Sequence, residues 1–176
     1  AMAEEVVIAA LGDSLTQGFG LPQEDGFVPQ MEGWLRERGH DVRLINAGVS
    51  GDTTAGGLSR VGWTLTPEVD GMIVALGGND LLRGIDPEVS RANLDGILAA
   101  AQEAEVEVLL VGLEAPGNYG PDYKAEFEAI FPGLAESYDT LLAESFLAGL
   151  TEARDKGGAV SELMQPDGIH PSARGV

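Results

Sequence analysis

Short apolar runs alternate with longer amphipathic stretches along this chain. Residues 6–11 (VVIAAL) are a continuous apolar run closed by Gly12, the pattern of a buried strand. Residues 26–38 carry Phe27, Met31, Trp34 and Leu35 at helical spacing. Residues 42–45 predict a second strand, and residues 72–76 (MIVAL) a third, ended by Gly77 and Gly78. Between them, residues 53–61 predict a short helix that Gly56 and Gly57 weaken. Asp86 and Pro87 suit the cap and first turn of a helix running to about Ala104. Residues 106–111 (VEVLLV) predict a fourth strand. Residues 121–137 predict a helix that Pro132 should break or kink. Residues 140–143 are a short fifth strand, residues 147–154 a further helical piece, and the end of the chain reads as loop.

Strands alternating with helices predict an α/β fold with a parallel sheet. Continuous apolar strands fit a sheet covered on both faces. In such sheets ligands bind beyond the carboxyl ends of the strands, so the strand-exit loops are where chemistry belongs. At 176 residues the chain reads as one domain, residues 1–176, without internal repeats. Hydrophobic residues make up 44% and charged residues 22%, ordinary globular usage that excludes a disordered chain.

Charge narrows the partners. Asp and Glu number 29 against 10 Lys and Arg, a net charge of −19. Such a surface repels phosphate backbones and anionic membranes, which argues against nucleic acid as a partner. With no cysteine there is no disulfide, thiol nucleophile or thiolate metal site. No apolar run reaches the roughly 20 residues that stable membrane insertion needs. The opening AMAEE has the look of an added start, and a leader removed earlier would leave no trace.

The strand exits read GDSLTQG, NAGVSGDT, GGND, LEAPGNYG and DGIHP. Any one of them is ordinary turn chemistry. Ser14 lies where a helix starts after the first strand, so it is either an N-cap or a nucleophile. A serine hydroxyl needs a base, and only two histidines exist. His40, in RERGHD, has no comparable loop. His170 has Asp167 three positions before it, an acceptor able to fix the tautomer of the ring. The alternative for DGIHP is a helix entry capped by Asp167, with His170 on the surface. Acyl transfer also needs donors for an oxyanion. Gly51 N–H, the Asn79 side-chain amide and Ser14 N–H at a helix start are candidates, unless Gly51 and Asn79 only make turns.

Gly12-Asp13-Ser14-Leu15, Gly51 in SGDT, Asn79 in GGND and Asp167-x-x-His170 together resemble the four sequence blocks of the SGNH hydrolases, also called the GDSL lipase/esterase family. The likeness extends across nearly the whole chain, and NAGVSGDTTAGGL, LGGNDLLRG, NYG and DGIHP resemble the bacterial thioesterase I/arylesterase branch. The resemblance implies a flavodoxin-like three-layer sandwich, a mostly five-stranded parallel sheet with helices on both faces. It implies Ser14 as nucleophile, His170 as base and Asp167 as its partner. It implies an oxyanion hole of Ser14, Gly51 and Asn79, and chemistry without metal or organic cofactor. It also implies an exported protein, periplasmic or secreted. The family usually continues into a closing helix, whereas this chain stops six residues after His170. That departure is expected to expose apolar surface and to loosen the His170 loop.

The expected substrate is a small acyl ester or thioester. Residues 114–123 (EAPGNYGPDY) resemble a loop bordering an acyl groove, which makes Gly117, Asn118 and Tyr119 candidate contacts. Leu81, Leu82 and Ile85 are candidates for the opposite wall. A carbohydrate acetylesterase on the same fold is a rival reading, disfavoured by the 6% aromatic content. A non-catalytic binding module is the rival of a different class. Its best-known form, a receiver domain, needs a strand-end lysine, but the two lysines, Lys124 and Lys156, lie outside the predicted strands. The sequence leaves the oligomeric state open, and a monomer is compatible with it.

Overall fold

The structure, a computed structural model, describes residues 4–176; the first three residues of the AMAEE opening lie outside that range. In chain order the elements are β1 (Val6–Gly12), α1 (Ser14–Gln17), α2 (Phe27–Glu37), β2 (Val42–Gly48) and α3 (Thr54–Thr64). They continue with β3 (Gly71–Ala75), α4 (Gly78–Leu82), α5 (Pro87–Glu103) and β4 (Glu107–Val111). The last are α6 (Pro121–Tyr138), β5 (Leu141–Ala143) and α7 (Ala148–Asp155). The five strands make one parallel sheet in the order β2-β1-β3-β4-β5. The chain order reverses at β1/β3, so the crevice beyond those two strand ends is the natural ligand site.

Alternation along β1 divides the core. Val7, Ala9 and Leu11 join a large cluster with Met72 and Val74 of β3, Leu94 and Ile97 of α5, and Phe127 and Phe131 of α6. Ala10 faces the other way, with Val42 and Leu44 of β2, against Val28, Phe27, Met31 and Leu35 of α2. Trp34 follows the same helical period but lies half out, with the Arg38 guanidinium 3.7 Å from its ring centroid. Asp86 caps α5 as expected, accepting the Glu88 N–H at 2.9 Å.

Three expectations change. β2 extends three residues beyond the predicted strand, because its second half still pairs with β1 up to Gly48. α3 runs on to Thr64, and its glycines serve packing: a Cβ at Gly57 would come within 2.3 Å of Leu76 Cδ1. α6 continues unbroken through Pro132. A proline inside a helix costs about 3 kcal/mol. Burial of Phe127, Ile130, Phe131 and Leu134 on either side returns roughly 1.5–3 kcal/mol each and outweighs it.

Candidate active site

Ser14 opens α1, one residue past the Asp13 that follows β1. Asp13 is the N-cap, its carboxylate accepting the Leu15 N–H at 3.0 Å. The capping role open to Ser14 therefore falls to its neighbour, and the serine hydroxyl is free. Ser14 Oγ lies 2.9 Å from His170 Nε2, across a separation of 156 residues in sequence. His170 Nδ1 lies 2.6 Å from Asp167 Oδ2. The other Asp167 oxygen accepts the N–H groups of Ile169 at 2.9 Å and His170 at 3.0 Å. The His170 backbone N–H above all, then its ring and the Ile169 N–H, hold the Asp167 carboxyl at about 2, below its ordinary 3.8. An ionised Asp167 places the imidazole proton on Nδ1 and leaves Nε2 to accept from the serine hydroxyl.

Asp167 does cap a turn, as the surface reading of DGIHP required, but its second oxygen is spent on the ring. The His170 side chain is only 16% exposed, with Phe19 4.8 Å away, centroid to centroid. The segment expected to be loose is tied down. Met164 bridges Pro171, Gln165 N–H donates to His170 O at 2.8 Å, and Gln165 Nε2 donates to Phe19 O and Pro171 O. Gln30 Nε2 on α2 donates to Ala173 O at 2.9 Å. Apolar surface is exposed on β5, at Leu141 and Leu142.

The candidate donors gather at the same place. Ser14, Gly51 and Asn79 line one cavity of about 450 Å³ together with His170. Ser14 N–H and Gly51 N–H have no acceptor among the described residues, and Gly51 sits at φ +81°. One Asn79 Nδ2 hydrogen goes to Asp52 O at 2.8 Å; the second remains for a ligand. Next to Asn79, the fully buried Asp80 accepts Thr54 N–H at 2.9 Å, Thr54 Oγ1 at 2.6 Å and Ser90 Oγ at 2.7 Å. Those bonds fix α4, and with it Asn79, against α3 and α5. Asp13 is also buried. Desolvation raises its carboxyl above the ordinary value, against the lowering effects of the Leu15 N–H and the His170 charge.

Of the expected substrate contacts, Leu81, Leu82, Asn118 and Tyr119 line the cavity. Gly117 does not: the 3₁₀ turn over Gly117–Tyr119 presents its neighbours, and glycine has no side chain to reach in. Ile85 is also absent from the lining; its carbonyl accepts the Tyr123 hydroxyl at 2.7 Å. Leu15, Phe19, Leu113, Leu147 and Ile169 complete the apolar wall. Phe19, Leu113 and Ile169 stand inside or beside quoted strand exits; Leu147 carries only its place after a strand. A larger cavity, about 720 Å³ between α6 and α7, shares Leu113 but none of the triad, so size does not locate the chemistry. Among the described residues no group of three His, Asp or Glu side chains is placed to hold a metal ion. His40 lies exposed, away from all of this.

A hydrogen-bonded chain runs from the Asp167 carboxylate through His170 to the Ser14 hydroxyl, beside N–H groups that have no acceptor among the described residues. The comparisons with known proteins agree in kind. The GDSL-like Lipase/Acylhydrolase family profile matches residues 10–176. The chain is 38% identical over 166 residues to the Esterase TesA of Pseudomonas aeruginosa, covering 94% of this chain and 79% of that one. It is 35% identical over 167 residues to an Arylesterase of Vibrio mimicus, covering 93% and 79%. It superposes with a TM-score of 0.86 on the crystal structure of AlinE4, described as an SGNH-hydrolase family esterase, at 46% identity over 99% of this chain and 90% of that one.

Proposed function

This chain belongs to the GDSL-like lipase/acylhydrolase family and hydrolyses esters, and from that premise we propose that the reaction runs through an acyl-enzyme on Ser14. Ser14 Oγ attacks the acyl carbonyl while His170 Nε2 takes its proton. The C–O π electrons move to oxygen, and the oxyanion meets Ser14 N–H, Gly51 N–H and the free Asn79 N–H. Collapse expels the alcohol or thiol, which leaves with the proton from His170. Water then enters, gives a proton to His170 and attacks the acyl-enzyme, and the acid departs as Ser14 recovers its hydrogen. Asp167 stays ionised and stabilises the imidazolium in both halves. Each oxyanion donor contributes about 2.7–4 kcal/mol to the transition state.

The observation that carries this reading is the relay from Ser14 Oγ through His170 to Asp167, at 2.9 Å and 2.6 Å. The apolar wall of Leu15, Phe19, Leu81, Leu82, Leu113 and Ile169 supports an acyl chain as the bound group, and disfavours a sugar. Among the described residues no lysine or arginine lines the cavity, and the nearby Arg83 is engaged with Gly51 O at 3.2 Å, so polyanionic thioesters gain little there. Simple esters and thioesters with uncharged leaving groups are the expected substrates. Initial rates on p-nitrophenyl acetate, butyrate and octanoate test the proposal. The parent cleaves all three and Ser14→Ala falls to background; equal rates in both proteins would remove Ser14 from the mechanism.

A further inference from the structure

The three oxyanion donors come from segments far apart in sequence: the turn after β1, the loop after β2 and the start of α4. One side chain on α3 ties these segments together. Arg60 Nε donates to Asp52 Oδ2 at 2.7 Å, Nη1 to Ala47 O at 2.7 Å and Nη2 to Gly12 O at 2.9 Å. Gly12 is the last residue of β1, two before Ser14, and Ala47 lies at the end of β2. Asp52 directly follows Gly51, and its carbonyl is the acceptor that orients Asn79 Nδ2 at 2.8 Å. Its carboxylate is held in turn. Oδ1 accepts Thr53 N–H at 3.1 Å, and it occupies the space over Gly56, where a Cβ would lie 1.6 Å from Oδ1. The Arg60–Asp52 pair is largely shielded from water, at 23% and 13% side-chain exposure.

We propose that Arg60 is the positioning residue of the oxyanion hole. Its planar fork sets the distance between the Ser14 side of the hole, through Gly12 O, and the Gly51–Asn79 side, through Asp52. Arg60 does not line the catalytic cavity, so it acts only through these groups. All three bonds use a different guanidinium nitrogen, a geometry that a lysine ammonium on its flexible stem cannot reproduce. A donor misplaced by about 1 Å costs on the order of 100-fold in rate. The inference rests on the acyl-enzyme reading above.

The test compares the parent with Arg60→Lys, Arg60→Met, Asp52→Asn and Ser14→Ala on p-nitrophenyl butyrate. Each protein is also titrated with butylboronic acid, which becomes a tetrahedral anion on a serine oxygen, and with butyramide, a neutral ground-state mimic. The expected result is a kcat lower by about 10- to 100-fold in the Arg60 variants, with KM and butyramide inhibition within a few-fold of the parent. The boronate inhibition constant rises in proportion to the loss of kcat/KM. Asp52→Asn follows the same pattern more weakly. A folded Arg60→Lys with parental kcat and boronate affinity overturns the proposal, as does failure of Arg60→Lys to fold, which would make the residue a strand staple only. Ser14→Ala separates the two ideas: activity retained there sinks the acyl-enzyme reading itself, whereas an inactive Ser14→Ala beside unaffected Arg60 variants sinks only the role of Arg60.

Discussion

The two halves of the candidate site are built differently. The proposed nucleophile and oxyanion donors stand on a packed platform, the ends of β1, β2 and β3, with Asp13, Thr54, Asp80 and Ser90 buried beneath them. The proposed base arrives on a segment where, from Leu141 to Val176, only Pro171 is buried. The platform is held by apolar burial and by the hydrogen bonds of Thr54 and Ser90 to Asp80, while Thr16 Oγ1 of α1 is buried without a partner among the described residues. The His170 segment is held by hydrogen bonds that Gln165 and Gln30 donate and Asp167 accepts, each worth about 0.5–1.5 kcal/mol net. Changes to the buried Thr54–Asp80–Ser90 network beneath the platform should therefore appear first in stability, and changes to the loop first in rate.

The sharpest way to test that contrast is Asp167→Asn. The amide keeps the shape of the turn but no longer fixes the tautomer or stabilises an imidazolium. We expect kcat to drop by about 10³–10⁴-fold, with a melting temperature close to the parent. A large loss of stability with modest loss of rate would break the comparison. Asp80→Ala should do the reverse. It strands the buried Thr54 N–H, Thr54 hydroxyl and Ser90 hydroxyl, at about 1–3 kcal/mol for each unsatisfied group. Urea unfolding is expected to show the largest destabilisation of this set; a midpoint within error of the parent would mean the platform is not held by that network. Gln165→Ala gives the smallest effect. It removes two donors to Phe19 O and Pro171 O and should cost no more than about 1–1.5 kcal/mol per bond in stability. Its kcat should fall several-fold as His170 loses support, and an unchanged kcat would show that the other ties suffice.

The same division explains what could be read in the sequence. The platform was legible because each donor sits in a short motif at a strand exit, and strands announce themselves as apolar runs. Ser14, Gly51, Asn79 and His170, each read from one of those motifs, line one cavity, and Asp167 stands behind His170, outside the lining. What was not legible depends on contacts between distant segments. Arg60 looks like any surface residue of a helix, because two of its three acceptors are the backbone carbonyls of Gly12 and Ala47, which carry no side-chain signature, and the third, Asp52, lies eight residues away. Leu147 becomes a wall residue only through the placement of the chain after β5. Pro132 misled for the opposite reason: a local rule predicted a break, and tertiary burial of the residues around it prevailed. Gly117 misled because a motif locates a turn without saying which of its residues faces the cavity.

The central claim is that Ser14 attacks the acyl carbon with His170 as its base. The most direct measurement is the reaction of the intact protein with an alkyl fluorophosphonate, followed by whole-protein mass and peptide mapping. The account predicts one adduct per chain, located on Ser14, with labelling that slows by orders of magnitude in His170→Ala. An adduct on another residue, or equal labelling rates in the parent and His170→Ala, would contradict it.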